Sequence, residues 1–176
     1  MNYNKFFELA KEAGITESQI QVSKGSSLSI KLFHREIDNY RVNSSTSVIA
    51  CGIYNGKFGS ARTEKLNKDT FKYLVEEIKR SASFVEEESI TELFKGSEKY
   101  HKKNIFNKEL ASVPTEKKIA ILHELEDKAY AADPRVKEVV TSSYAEITSE
   151  SLFFNSHGLK LSQKSNYFYF VLGVAA

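Results

Sequence analysis

Val48-Ile49-Ala50-Cys51-Gly52-Ile53-Tyr54-Asn55-Gly56-Lys57-Phe58-Gly59-Ser60-Ala61 is the stretch that decides the fold class. Val48 to Tyr54 reads as a strand and stops at Asn55-Gly56, the strongest short hairpin signal, because both residues accept the left-handed backbone of a tight turn. Lys57 to Ala61 is then the short return strand. Working back, Ile37, Tyr40 and Val42 mark a less regular strand, and Ile20, Val22, Leu28, Ile30 and Leu32 alternate with polar neighbours as an earlier one. Ahead of these, Tyr3, Phe6, Phe7, Ala10 and Ala13 recur at helical spacing, with Gly14 placed to end a helix in the left-handed conformation.

Working forward, Asn67 reads as an N-cap, and Phe71, Leu74, Val75, Ile78 and Ala82 give the next helix an apolar stripe. Glu86-Glu87-Glu88 is an acidic break, and Ser89 to Leu110 is read as loop with a short helix near Ile90 to Phe94. Ser112-Val113-Pro114-Thr115 opens a third helix with Ile119, Leu122, Leu125 and Ala129 on its buried side, and Asp133-Pro134 ends it. Three strand-like runs follow: Val136 to Ile147, Glu150 to Asn155, and Leu159 to Val174, the last two joined by Ser156-His157-Gly158. The order helix, strand, strand, strand thus occurs twice. The expectation is a single α+β domain over residues 1–176, with antiparallel or mixed sheet layers packed against helices. Within it, two repeats, about 3–62 and 116–175, are joined by a helix and a lysine-rich loop. The sequence stops in apolar strand material, Phe170 to Ala176, so the chain is expected to be the amino-terminal part of a longer protein.

Composition narrows the function classes. Hydrophobic residues make up 41% of 176, enough for a sizeable core. With 25 basic and 23 acidic residues the formal net charge is +2, too small to steer nucleic acid or anionic lipid. The single cysteine, Cys51, forms no internal disulfide, which fits a reducing compartment. No apolar segment approaches the roughly 20 residues needed to span a bilayer, and no secretory leader pattern opens the chain. A cytoplasmic location without membrane contact is expected.

Candidate chemistry is sparse. His123-Glu124-Leu125-Glu126-Asp127 has the start of a zinc-peptidase helix, but position 127 is Asp and 128 is Lys, so neither the H-E-x-x-H nor the H-E-x-x-x-H spacing is met. A charged, solvated helix face is the simpler reading. Cys51 could be activated by His34 or His157, yet it lies in an apolar run where a free cysteine packs as a small hydrophobe. His157 is read as a turn residue, and His34 and His101 have no spaced partners. Lys95 to Lys108, with Tyr100 and Phe106 interleaved, could touch phosphates, but Glu98 and Glu109 compensate, and a solvated loop is favoured. Tyr167-Phe168-Tyr169-Phe170 is read as a strand buried on both faces rather than a base-stacking platform. Phosphate-binding glycine loops are absent. The residues therefore assign no catalytic, cofactor-binding or metal-binding side chain.

Several stretches, taken in order, resemble the N-terminal domain of the TldD/PmbA family, more closely its PmbA (TldE) branch, also called modulator of DNA gyrase. They are Ile53-Tyr54-Asn55-Gly56-Lys57-Phe58-Gly59, Thr63-Glu64-Lys65-Leu66, Gly96-Ser97-Glu98-Lys99-Tyr100, Ala132-Asp133-Pro134-Arg135-Val136 and Asn155-Ser156-His157-Gly158. The strand before the hairpin departs from the family's glycine-rich pattern and reads Ser47-Val48-Ile49-Ala50-Cys51. The resemblance implies a non-catalytic N-terminal scaffold domain of a PmbA/TldE-like subunit in a cytoplasmic, oligomeric, metal-dependent peptidase complex. Such a complex acts on unfolded or modified peptides, including peptide maturation. It implies a TldD-like or PmbA-like partner, in a homo- or heterodimer. No cofactor belongs to this chain; zinc is assigned to the partner subunit or to a carboxy-terminal half. From the strands alone, a second reading is an autonomous module that captures extended peptides by strand addition at a sheet edge.

Overall fold

In a computed structural model, which describes residues 2–86 and 92–176, the chain forms α1 (Asn4–Glu12), β1 (Ile15–Phe33), β2 (Glu36–Tyr54), β3 (Lys57–Thr63) and α2 (Thr70–Ser83). A 3-10 turn at Leu110–Ser112, α3 (Thr115–Ala132), β4 (Glu138–Asn155) and β5 (Lys160–Ala175) follow. The strands make one five-stranded antiparallel sheet in the order β3-β2-β1-β4-β5. The expected α+β class holds.

Local chemistry accounts for most of the elements. Gly14, at φ +85°, turns the chain out of α1, and its N–H bonds Lys11 O at 3.0 Å. Asn55 and Gly56 both have positive φ, +50° and +73°, and Tyr54 pairs with Lys57 across them, so the two-residue hairpin forms where expected. Asn67 does not cap α2. Its Oδ1 accepts the Asp69 N–H at 3.0 Å, while Thr70 Oγ1 accepts the Asn67 N–H at 2.8 Å, and the helix starts after Asp69.

Two boundaries read from the sequence move. The separate strands expected around Ile37 to Val42 and Val48 to Tyr54 are one strand, β2, and Val136 to Ile147 joins Glu150 to Asn155 as β4. The polar runs Asn43 to Thr46 and Thr148 to Glu150 look like breaks but continue the ladder, whose hydrogen bonds come from the backbone whatever the side chain. The helix expected near Ile90 to Phe94 lies partly outside the described residues, as does the acidic break at Glu87 and Glu88; residues 92–97 are irregular.

The chain divides into two compact units, and the long strands thread both. The first comprises Met1–Lys24, Ser45–Lys103 and Glu150–Gln163. Its core joins Phe6 and Ala10 of α1, Ile20 and Val22 of β1, Val48 and Ala50 of β2, and Phe71, Leu74 and Ile78 of α2. Helix α2 lies so close to β3 that a Cβ on Gly59 would come within 2.1 Å of Ile78 O; only glycine permits this approach. The second unit comprises Gly25–Ser44, Asn104–Ser149 and Lys164–Ala176. Its core is smaller: Ile30, Leu32, Leu122 and Tyr144, flanked by Leu28, Ile119 and Phe170.

Candidate functional site

The turn between β4 and β5 is densely bonded to the rest of the first unit. Asn155 is buried and works in both directions: Oδ1 accepts the N–H groups of His157 and Leu159, each at 3.0 Å, and Nδ2 donates to Phe94 O at 2.7 Å. Gly158, at φ +87°, closes the turn by donating its N–H to Asn155 O at 3.2 Å. Ser156 donates its N–H to Ser18 O at 2.8 Å, and its Oγ accepts the Ser18 N–H at 3.1 Å. His157 Nε2 lies 3.2 Å from the Glu17 carboxylate, which also accepts the Leu93 N–H. The Leu93 N–H and then His157 hold the Glu17 carboxyl below the usual carboxylate range. The whole run from Asn155 to Gly158 thus fastens the turn to β1 and to the segment at Leu93 and Phe94.

His157 therefore is a turn residue, as read from the sequence, with an acidic partner that the sequence did not reveal. Cys51 is buried in the same unit, and burial, against a weaker opposing hydrogen bond from Gln19, pushes its thiol up to about 11. That favours an inert thiol. His34 belongs to the other unit, in the β1–β2 turn.

In the second unit, the stretch His123 to Asp127 is not uniformly solvated. Glu124 pairs with Lys128 at 2.6 Å and Asp127 with Arg35 at 2.5 Å, both on the surface, but Glu126 is buried and His123 Nδ1 is a buried atom without a hydrogen-bond partner. The Arg35 guanidinium, with a smaller contribution from His123, holds the Asp127 carboxyl below the usual range. The most buried residues of α3 are Lys118, Leu122 and Glu126; of the stripe expected at Ile119, Leu122, Leu125 and Ala129, Leu122 is fully buried and the other three are half-buried. Lys118 is accommodated because Nζ meets Glu146 Oε2 at 2.6 Å, and the Tyr144 hydroxyl donates to the same oxygen at 2.7 Å. Burial and then Glu146 raise the Tyr144 hydroxyl well above the ordinary phenol value. Lys118 and Glu126, charged residues flanking Leu122 at helical spacing, were the available signal on α3, whereas Glu146 lies on β4 and carried none.

Residues around Lys95 to Lys108 are largely exposed, with Lys95 paired to Glu92 at 2.7 Å. The reading of Tyr167 to Phe170 as doubly buried is corrected: β5 is an outer strand, and Tyr167, Phe168 and Tyr169 are 57%, 52% and 47% exposed. A run of aromatics reads the same whether a neighbouring strand covers it or not. Among the described residues, no three His, Cys, Asp or Glu side chains converge as a metal site would require, and no helix is long and apolar enough to cross a membrane.

The β4–β5 turn also forms one wall of a cleft of about 850 Å³, whose other wall is α1.

Residues 108–176 match the model of the PmbA/TldA metallopeptidase central domain. Comparison with curated proteins gives no match. Among solved structures, TldE from Thermococcus kodakarensis superposes with TM-score 0.82 at 20% identity, covering 97% of this chain and 38% of that one. A candidate modulator of DNA gyrase from Thermotoga maritima gives TM-score 0.81 at 21% identity, over 96% of this chain and 38% of its own. A second candidate modulator of DNA gyrase, from Bacteroides thetaiotaomicron, gives 0.78 at 17% identity, over 94% and 38%. At these identities the structural likeness concerns the fold, and the chain spans little more than a third of the length of each.

Proposed function

We propose that this chain, whose residues 108–176 match the PmbA/TldA metallopeptidase central domain, is the scaffold portion of a PmbA/TldE-like subunit, non-catalytic by itself, in a metal-dependent peptidase assembly that acts on unfolded or modified peptides in the cytoplasm. The observation that carries this reading is the match of residues 108–176 to the metallopeptidase family's central domain, on a chain that follows the TldE fold over 97% of its length. The disposition of its ionisable side chains supports it. Glu17 with His157, Lys118 with Glu146, and Arg35 with Asp127 are engaged in holding elements together.

On this reading the peptidase metal, zinc, is bound by a TldD-like partner or by a region corresponding to the rest of the longer relatives. The chain's own contribution is a wall and a subunit contact. Co-expression with a TldD-like subunit tests it. The two are expected to co-elute, and zinc-dependent cleavage of an unfolded casein substrate is expected only when the partner is present. Zinc-stimulated cleavage by this chain alone, lost in His123→Ala or Cys51→Ala, would overturn the proposal.

One feature favours a second reading, peptide capture by strand addition. Strand β5 is an outer strand, met by Ile105 in an isolated parallel bridge at Ser165, and such an edge can accept another strand elsewhere along its length. Unfolded casein should then perturb the β5 backbone amides; unchanged amides at saturating casein would dismiss it.

A further inference from the structure

The cleft in the first unit has more than volume to recommend it. Along α1, Asn4, Phe7, Glu8 and Lys11 line it at helical spacing, and Phe154 and Lys160 line it from the side of the β4–β5 turn. Its size, about 850 Å³, falls within the range of ligand sites, roughly 300–1,000 Å³. The start of β1 also lines it, and there the ladder is incomplete.

Both backbone groups of Ser18 are directed at Ser156: the carbonyl accepts the Ser156 N–H at 2.8 Å, and the Ser18 N–H reaches Ser156 Oγ at 3.1 Å. In a strand, the hydrogen-bonding groups of residues two apart point to the same side. The N–H and C=O of Thr16 therefore point the way those of Ser18 do. Strand β4, however, ends at Asn155, and the chain turns away through Gly158, so no described backbone group meets Thr16 on that side. Thr16 is exposed and anchored from the opposite side, where its Oγ1 donates to Ile53 O at 3.3 Å. One open rung thus faces a cleft with aromatic side chains.

Charge adds the second specification. Lys11 and Lys160 are both exposed, and among the described residues neither forms an ion pair. We propose that this cleft binds an extended peptide segment bearing a carboxylate: its main chain continues the ladder on Thr16, an apolar side chain rests against Phe7 and Phe154, and the carboxylate is held by Lys11 and Lys160. Glu8 in the same lining disfavours a second acidic group, so a singly acidic segment is preferred to a polyacidic one. The site depends neither on the scaffold reading nor on strand addition along β5, of which only the first residue, Lys160, lines the cleft.

The test is an NMR titration of the ¹⁵N-labelled full chain with acetyl-Ser-Val-Phe as the free acid and, in parallel, as the carboxamide. Shifts are expected at the amides of Thr16, Ser18 and Gly158, with the free acid binding about fivefold more tightly, the scale of an exposed charge contact. Lys11→Glu combined with Lys160→Glu, both at exposed positions, should abolish that preference while leaving the far-UV circular dichroism unchanged. Absence of a Thr16 shift at millimolar peptide would overturn the proposal. So would equal affinity for acid and amide, or shifts confined to β5.

Discussion

Glu17 accepts the Leu93 N–H and faces His157, and through these two contacts it ties the β4–β5 turn and the segment at Leu93 to β1. Nothing local in the sequence marks it, because its partners come from distant parts of the chain. Its carboxyl is held below the ordinary range, chiefly by the Leu93 N–H. A carboxyl depressed in the folded state adds stability above its unfolded pKa, about 4.3, and loses it as pH falls through the folded value. Glu17→Gln is therefore expected to lower Tm by roughly 2–4 °C at pH 7, with the difference closing as melts are repeated toward pH 3. Cys51 is the opposite case, legible from its apolar surroundings alone. With its thiol pushed up to about 11 from an ordinary 9.0, the thiolate population at pH 8 falls by about a hundredfold. Disulfide-exchange labelling with a chromogenic thiol reagent should be slower by at least that factor in the native chain than in urea.

At the scale of elements, the two hairpins of the amino-terminal half contrast. Asn55-Gly56 is written in the sequence, whereas the β1–β2 turn is built on His34 and Arg35, both at positive φ, +49° and +66°, without a glycine. Two left-handed residues with β-carbons are costly locally, and the long strands on either side impose the turn. His34→Gly is expected to raise stability by about 0.5–1 kcal/mol, read as a shift of the urea midpoint at constant slope. Helix α3 carries the other element-level lesson. Of its expected apolar stripe, Leu122 is fully buried and Ile119, Leu125 and Ala129 are half-buried, while two charged residues, Lys118 and Glu126, lie deeper than those three, Lys118 through its pairing with Glu146. Lys118→Met alone should cost about 3–5 kcal/mol by leaving Glu146 buried without its cation. Combining it with Glu146→Leu should recover most of the loss in the same denaturation experiment.

At the scale of the molecule, each compact unit has its own core, and the long strands are shared between them. Phe6→Ala, in the first unit, should cost about 3–5 kcal/mol, and hydrogen exchange should accelerate among the first unit's amides before those around Leu122 and Tyr144. By itself the sequence determined the α+β class, the Gly14 helix end, the Asn55-Gly56 turn, the stripe of α2 and the interior character of Cys51. Each follows from residues within a turn or two of one another, where spacing and backbone preference suffice. Only the tertiary structure decided that polar runs continue β2 and β4, that Lys118 belongs inside, and that Tyr167, Phe168 and Tyr169 of β5 stay about half exposed while Phe170 packs on the core. It also decided that Glu17 meets His157 and that, among the described residues, no backbone group pairs with Thr16 on the side of the cleft. These outcomes depend on which backbone or charge arrives from a remote part of the chain, and no local pattern encodes that arrival.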